Sequence, residues 1–123
     1  MLLQGVKMSK YEIVFYEKTN GEQPVKEFLL KLNTKMRAKM VSTIVILSEH
    51  GHELREPYSK HIDEGIFELR AKFGSDITRV LYFFYVDGKI ILTNGFIKKT
   101  QKTPGEEIAK AKKYRDDYLQ RRQ

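Results

Sequence analysis

Residues 66–98 read Ile66-Phe67-Glu68-Leu69-Arg70-Ala71-Lys72-Phe73, then Gly74-Ser75, then Asp76-Ile77-Thr78-Arg79-Val80-Leu81-Tyr82-Phe83-Phe84-Tyr85-Val86, then Asp87-Gly88, then Lys89-Ile90-Ile91-Leu92-Thr93-Asn94-Gly95-Phe96-Ile97-Lys98. Three runs of β-branched and aromatic residues are separated by two dipeptides of hairpin type. The stretch therefore reads as three consecutive antiparallel strands. Hairpin loops fix register. If Gly74-Ser75 is a two-residue loop, Phe73 faces Asp76 and, counting back, Arg70 faces Arg79. If Asp87-Gly88 is another, Val86 faces Lys89 and Arg79 faces Phe96. Arg70, Arg79 and Phe96 then form one row across three strands. Side-chain alternation puts Glu68, Leu81, Asn94 and Lys98 on the same face. The opposite face carries Phe67, Leu69, Phe73, Val80, Tyr82, Phe84, Ile91 and Ile97, and is the face to bury.

Working outward, Tyr11-Glu12-Ile13-Val14-Phe15-Tyr16 is a strand that ends at the Asn20-Gly21 turn. Pro24 suits a first helical turn, and Val25, Phe28, Leu29 and Leu32 share one helical face. Asn33-Thr34 interrupts that helix. A second helix sets Met36, Met40, Ile44 and Leu47 in one stripe and stops at Gly51, so the two form a helical hairpin. Residues 53–64 read as a loop. After Pro104, residues 106–122 form a last helix with Glu early and Lys/Arg late, in accord with the helix dipole. The expected order is β-α-α-β-β-β-α: an α+β fold with an antiparallel sheet, the helical hairpin on one face, and a C-terminal helix.

A chain of 123 residues is sized for a single domain over 1–123, with residues 1–9 expected as a flexible N-terminal extension. Cysteine is absent, which removes disulfides, Cys-based zinc sites and a thiol nucleophile, and is compatible with a reducing cytoplasm. No apolar run is long enough to span a bilayer, and Met1-Leu2-Leu3-Gln4-Gly5-Val6-Lys7 lacks the apolar run of a secretory leader. Lys and Arg number 23 against 16 Asp and Glu, a net +7 that favours a polyanionic partner, nucleic acid or an acidic protein.

Two arginines directly opposite in a sheet repel, by something like a few tenths to 1 kcal/mol. Two readings explain their retention. Either Glu68, two residues from Arg70, neutralises the pair as an ion network, or the guanidiniums form a fork for one phosphate with Phe96 beside it as a stacking surface. The run Lys98-Lys99-Thr100-Gln101-Lys102-Thr103-Pro104 leaves the sheet where that row sits and reads as a phosphate contact. Lys113, Arg115, Arg121 and Arg122 read as a solvated helix face, and His50 and His52 as capping residues beside Gly51. His61, after Tyr58-Ser59-Lys60, is either a surface histidine or a proton carrier. No metal-ligand spacing, nucleophile elbow, phosphate-binding glycine loop or dinucleotide fingerprint occurs.

The segments Gly65-Ile66-Phe67-Glu68-Leu69-Arg70, Arg79-Val80-Leu81-Tyr82-Phe83-Phe84 and Gly95-Phe96-Ile97-Lys98-Lys99-Thr100-Gln101-Lys102-Thr103-Pro104, closed by Glu107-Ile108 and Ala111, resemble the HigB branch of the RelE/ParE-like toxins of type II toxin–antitoxin systems, a branch that includes phage-derived proteins. The resemblance spans about residues 10–118, and Lys98 to Pro104 is its most specific part. It implies a RelE-like fold and a cytoplasmic, ribosome-dependent mRNA endonuclease that inhibits translation without metal or cofactor. The 2′-hydroxyl would attack its own 3′-phosphate, leaving a 2′,3′-cyclic phosphate and a 5′-hydroxyl. The family's strand arginines map onto Arg70 and Arg79, for charge stabilisation, and its basic C-terminal segment onto Lys98 and Lys99. The base is then Glu68, or Lys98 or His61 in its place. RNA contacts fall to Phe96, Lys99, Thr100, Lys102, Lys60, His61 and Tyr58. Partners implied are the ribosome and mRNA, a HigA-like antitoxin with a helix-turn-helix domain in a heterotetramer, and operator DNA reached only through that antitoxin; no membrane is involved. The competing readings are a ParE-like gyrase inhibitor without nuclease activity and a phage protein that only binds a partner.

Overall fold

The computed structural model describes residues 10–98 and 102–122; the expectations for residues 1–9, Lys99 and Thr100 lie outside them. Strand β1 (Glu12–Phe15) leads to α1 (Pro24–Lys31) and α2 (Thr34–His50), and a short 3₁₀ turn follows at Gly51–Glu53. Strands β2 (Ser59–Asp63), β3 (Ile66–Phe73), β4 (Asp76–Tyr85) and β5 (Lys89–Lys98) come next, and α3 (Gly105–Gln120) closes the chain. The class is α+β, as read, and the helical boundaries follow their signals. Pro24 opens α1, and the Asn33 side chain caps α2 by accepting the Met36 amide at 2.9 Å. Gly51 ends α2.

Two features of the sheet differ from the reading. The segment taken as loop contains β2, an edge strand paired to β3 from Ser59↔Leu69 to Asp63↔Ile66. Ser59-Lys60-His61-Ile62-Asp63 has little strand propensity of its own, so its conformation comes from that pairing. The sheet is also mixed: in the order β1-β5-β4-β3-β2, β1 lies parallel to β5, with Glu12 opposite Lys89. The helical hairpin carries the chain from one edge of the sheet to the other, and the meander brings β5 back beside β1.

The arginine row is present, through two offsets that cancel. The β3–β4 loop has the two residues expected, Phe73 facing Asp76 and Arg70 facing Arg79. The β4–β5 loop has three, because Tyr85 faces Lys89, with Asp87 at φ +62° and Gly88 at φ +71°. A bulge then intervenes, since Leu81 faces Asn94 while Tyr82 faces Leu92, and Arg79 again meets Phe96. Between loop and bulge the facing is inverted, so Ile91 packs with the other face of the sheet.

Each face holds its own core. Against α1 and α2, Val25, Leu29, Met36, Met40 and Leu47 pack on Leu69, Val80, Tyr82 and Leu92. Against α3, Ala111 and Tyr118 pack on Ile66, Leu81, Phe83 and Ile91. Phe73 and Ile97, expected in the hairpin core, lie at the far end of the strands and are each 42% exposed. His52 does not cap the helix: its ring stacks on Phe84, centroids 3.6 Å apart. Gly51, at φ +52°, has the Tyr11 ring where a Cβ would stand.

Helix α3 is tied to the start of the chain through Tyr16, which stacks on Tyr114 at 4.7 Å and donates its hydroxyl to Asp117 Oδ2 at 2.6 Å. Burial, then Asp117, pushes the Tyr16 hydroxyl up to about 12, and the Tyr16 hydroxyl holds the Asp117 carboxyl below the usual carboxylate range. A carboxyl depressed in the folded state adds stability above its unfolded value, and that stability fades as pH falls through the folded value. Tyr16→Phe is therefore expected to lose stability at pH 7 and to show a shallower decline on acidification, read from urea midpoints at pH 7 and pH 3. Gly51→Ala combines a positive φ with overlap on Tyr11 and should cost about 2–4 kcal/mol in urea denaturation.

Candidate nucleic-acid interface

Glu68 stands on the same face of β3 as Arg70 and across the ladder from Leu81, one position along from Arg79. Its carboxylate has no exposed surface. One oxygen accepts Arg70 Nε at 2.6 Å; the other accepts the Thr103 hydroxyl at 2.5 Å and lies 3.8 Å from an Arg79 guanidinium nitrogen. Arg79, also 0% exposed, donates to the Lys102 carbonyl at 3.2 Å. Burial lowers the Arg79 pKa, Glu68 opposes that, and Arg70 adds to it; the guanidinium nonetheless stays charged at any ordinary pH. One carboxylate thus serves two cations that would otherwise face each other with nothing between them.

Of the two readings of the row, this is the ion network. The open fork is absent, because residues 102–104 and α3 cover the face that was expected to meet solvent. Arg79 and Glu68, expected as catalytic groups, are both fully buried, and neither presents surface to a phosphate or a hydroxyl. Phe96 lies in the row but is half-buried, packed against the core under α3. The cover is pinned at its far side by Asn94, whose amide donates to Glu107 at 2.9 Å on the side-chain oxygen and 3.2 Å on the carbonyl.

What remains accessible is Arg70, whose side chain is 16% exposed. It reaches a cleft of about 240 Å³ at the edge of the sheet, lined also by Lys60, His61, Ile62, Lys102, Thr103 and Ile108. Strand β2, missing from the sequence reading, sets Lys60 directly across from Glu68 and so beside Arg70. His61 sits edge-on to Phe67, centroids 5.1 Å apart, and its Nε2 accepts the Gly65 amide at 3.2 Å. In the neutral ring that leaves the proton on Nδ1. The described lining holds three cations, one imidazole, one hydroxyl and no carboxylate, a composition that attracts anions. Among the described residues no three His, Asp or Glu side chains gather as a metal site.

Three of the expected site residues, Arg70, Lys60 and Lys102, meet in this cleft; His61 borders it from β2 with its ring turned to Phe67, on the other face of the sheet. Lys98 ends β5 exposed, opposite Ile77, and is not in the described lining. Tyr58 lies past Arg70 in a neighbouring cleft. Thr103 belongs to the run read as a phosphate contact, but its hydroxyl is spent on Glu68; the signal available was that it precedes Pro104 and α3, where the chain must turn back onto the sheet. Glu68→Ala strips a buried guanidinium of its counter-charge and should cost about 3–5 kcal/mol in urea denaturation. Glu68→Gln keeps an oxygen for the Thr103 hydroxyl but removes the same counter-charge, so it should also cost several kcal/mol; a cost for Glu68→Gln under about 1 kcal/mol would refute the shared-carboxylate account.

A family model described as phage derived protein Gp49-like (DUF891) matches residues 27–116, a span that includes every residue of the cleft. No curated protein matches the chain.

Proposed function

The chain belongs to the phage-derived Gp49-like protein family, and on that premise we propose that it is the toxin of a type II toxin–antitoxin pair, acting as a ribosome-dependent mRNA endonuclease. Membership is compatible with a toxin. The observation that carries the nuclease reading is the cleft whose described lining brings Lys60, Arg70 and Lys102 together without a carboxylate.

A phosphodiester seated there meets fixed positive charge where negative charge grows during in-line attack, and Arg70 is pre-aimed by its bond to Glu68. The 2′-oxygen bonds to phosphorus as the bond to the 5′-oxygen breaks, giving a 2′,3′-cyclic phosphate and a 5′-hydroxyl. The 2′-hydroxyl proton passes to water, and the leaving oxygen is protonated by a flanking ammonium or by water. Of the three bases weighed from the sequence, Glu68 is occupied beneath the cleft, Lys98 lies outside it, and the His61 ring turns to Phe67 on the helical-hairpin face of the sheet.

The cleft is small and open at the sheet edge, and its cations grip any phosphate alike. Positioning therefore falls to the ribosome, and the net charge of +7 favours both ribosomal RNA and mRNA, with steep salt dependence. A helix-turn-helix antitoxin would neutralise the toxin in a heterotetramer and carry it to operator DNA. Among the described residues no helix is long and apolar enough to cross a membrane.

The arginine pair does not favour this reading over a gyrase inhibitor or a partner-binding protein, because a buried ion network serves any of them; the support for it comes from the cationic cleft. In a purified translation system, new mRNA 5′ ends are expected at ribosome-occupied codons. Lys60→Ala and Arg70→Ala should each slow cutting, Arg70→Ala by ~10²–10³, while far-ultraviolet circular dichroism stays unchanged. Intact mRNA with the folded wild-type protein would overturn the nuclease, and loss of supercoiling by gyrase would then favour the inhibitor.

A further inference from the structure

Helix α2 is apolar on two sides. Its inner stripe, Met36, Met40, Ile44 and Leu47, is buried against the sheet. On the outer side Thr34, Ala38, Val41 and Val45 follow at steps of four, three and four, the spacing of a coiled-coil seam. All four are exposed, Val41 at 44% and Val45 at 50%. A single exposed valine is ordinary on a protein surface. A row in helical register, on a helix already packed along its inner side, marks a second packing face.

The charges beside the row are matched to a copy of the same helix. Lys35 and Glu49 stand on one flank of it, both exposed, and are centred on Ser42 (42 − 35 = 7 and 49 − 42 = 7). Neither has an ion partner among the described residues. When two such seams pack antiparallel, Val41 of each helix meets Val45 of the other, and Lys35 of each meets Glu49 of the other. The face is also held at both ends. Arg37 donates to the carbonyls of Leu29 at 2.9 Å and of Leu30 and Leu32 at 3.0 Å, tying α2 to the end of α1. At the far end the Ser48 carbonyl accepts the Tyr11 amide at 3.0 Å. A face fixed in this way loses little freedom on pairing.

We propose that the outer face of α2 is a self-association surface, on which two copies of the chain pair these helices antiparallel about a two-fold axis near Ser42. A foreign helix would be served by the apolar row alone; the reciprocal placement of Lys35 and Glu49 singles out a second copy. One helix pair covers less than the ~800 Å² per partner of a standard interface, so the dimer is reversible and depends on concentration. Lys60 and Arg70 stand on the opposite face of the sheet, so the cationic cleft stays open in the pair. The inference therefore stands apart from the nuclease reading.

The test is sedimentation equilibrium of the full-length protein, from micromolar concentrations up to about 1 mM. A reversible monomer–dimer equilibrium is expected, weakened more than roughly tenfold by Val45→Lys. Lys35→Glu and Glu49→Lys should each weaken it severalfold, and the two together should restore it, with circular dichroism unchanged throughout. Monomer at every concentration overturns the proposal and leaves the face to a helix of a different protein. A dimer indifferent to Val45→Lys overturns this surface. A dimer sensitive to Val45→Lys but not restored by the double charge reversal overturns the antiparallel pairing.

Discussion

A single carboxylate, Glu68, lies beneath the face on which two arginines of adjacent strands stand opposite each other. Two like charges in that position oppose sheet formation, and burying them without compensation would cost far more than the repulsion alone. Each carboxylate oxygen faces one guanidinium, and the Thr103 hydroxyl adds a third contact. The segment entering α3 is thereby drawn onto the sheet. Strand pairing, the seating of the C-terminal helix and the aim of Arg70 toward solvent all depend on that one group. The arrangement also divides labour within the pair: Arg79 is sealed inside, while Arg70 keeps enough surface to meet a ligand.

The dependence explains which parts of the molecule could be read from residues alone. Glycine-bearing turns, the proline at the start of α1 and the asparagine ahead of α2 act through local backbone geometry, so the strands and helices they bound were legible. Ser59 to Asp63 have no such signal; their strand exists because β3 offers an unpaired edge. The parallel partnership of β1 with β5 is likewise a matter of where distant segments meet. The row Arg70–Arg79–Phe96 was legible for partly mistaken reasons, since a longer loop and a bulge, neither apparent in the sequence, offset each other. Ile91, between the two, was assigned the wrong face for that reason.

Site residues divide along the same line. Arg70, Lys60 and Lys102 were nominated by residue type and position, and the fold gathers them, with His61 at their border. Glu68, Arg79 and Phe96 were nominated by the same reasoning and are covered. Whether a polar row on a sheet is roofed depends on what lands on it, and here that is a segment more than twenty residues downstream of Arg79, recognisable as important only once Thr103 and Asn94 are seen gripping it from either side.

The parallel edge between β1 and β5 bears on the order in which the molecule is made. Glu12 to Phe15 leave the ribosome early, but their partner strand, from Lys89 onward, leaves late, and the residues that close over Arg79 come later still. Until those residues are made the chain has an unpaired first strand and an uncovered cationic sheet. The fold can close only once residues 89–107 are available, so a chain cut short before them lacks both its outer strand pairing and its charge balance. The cleft is therefore assembled by the last segments to pair rather than the first, an order supplied by topology alone.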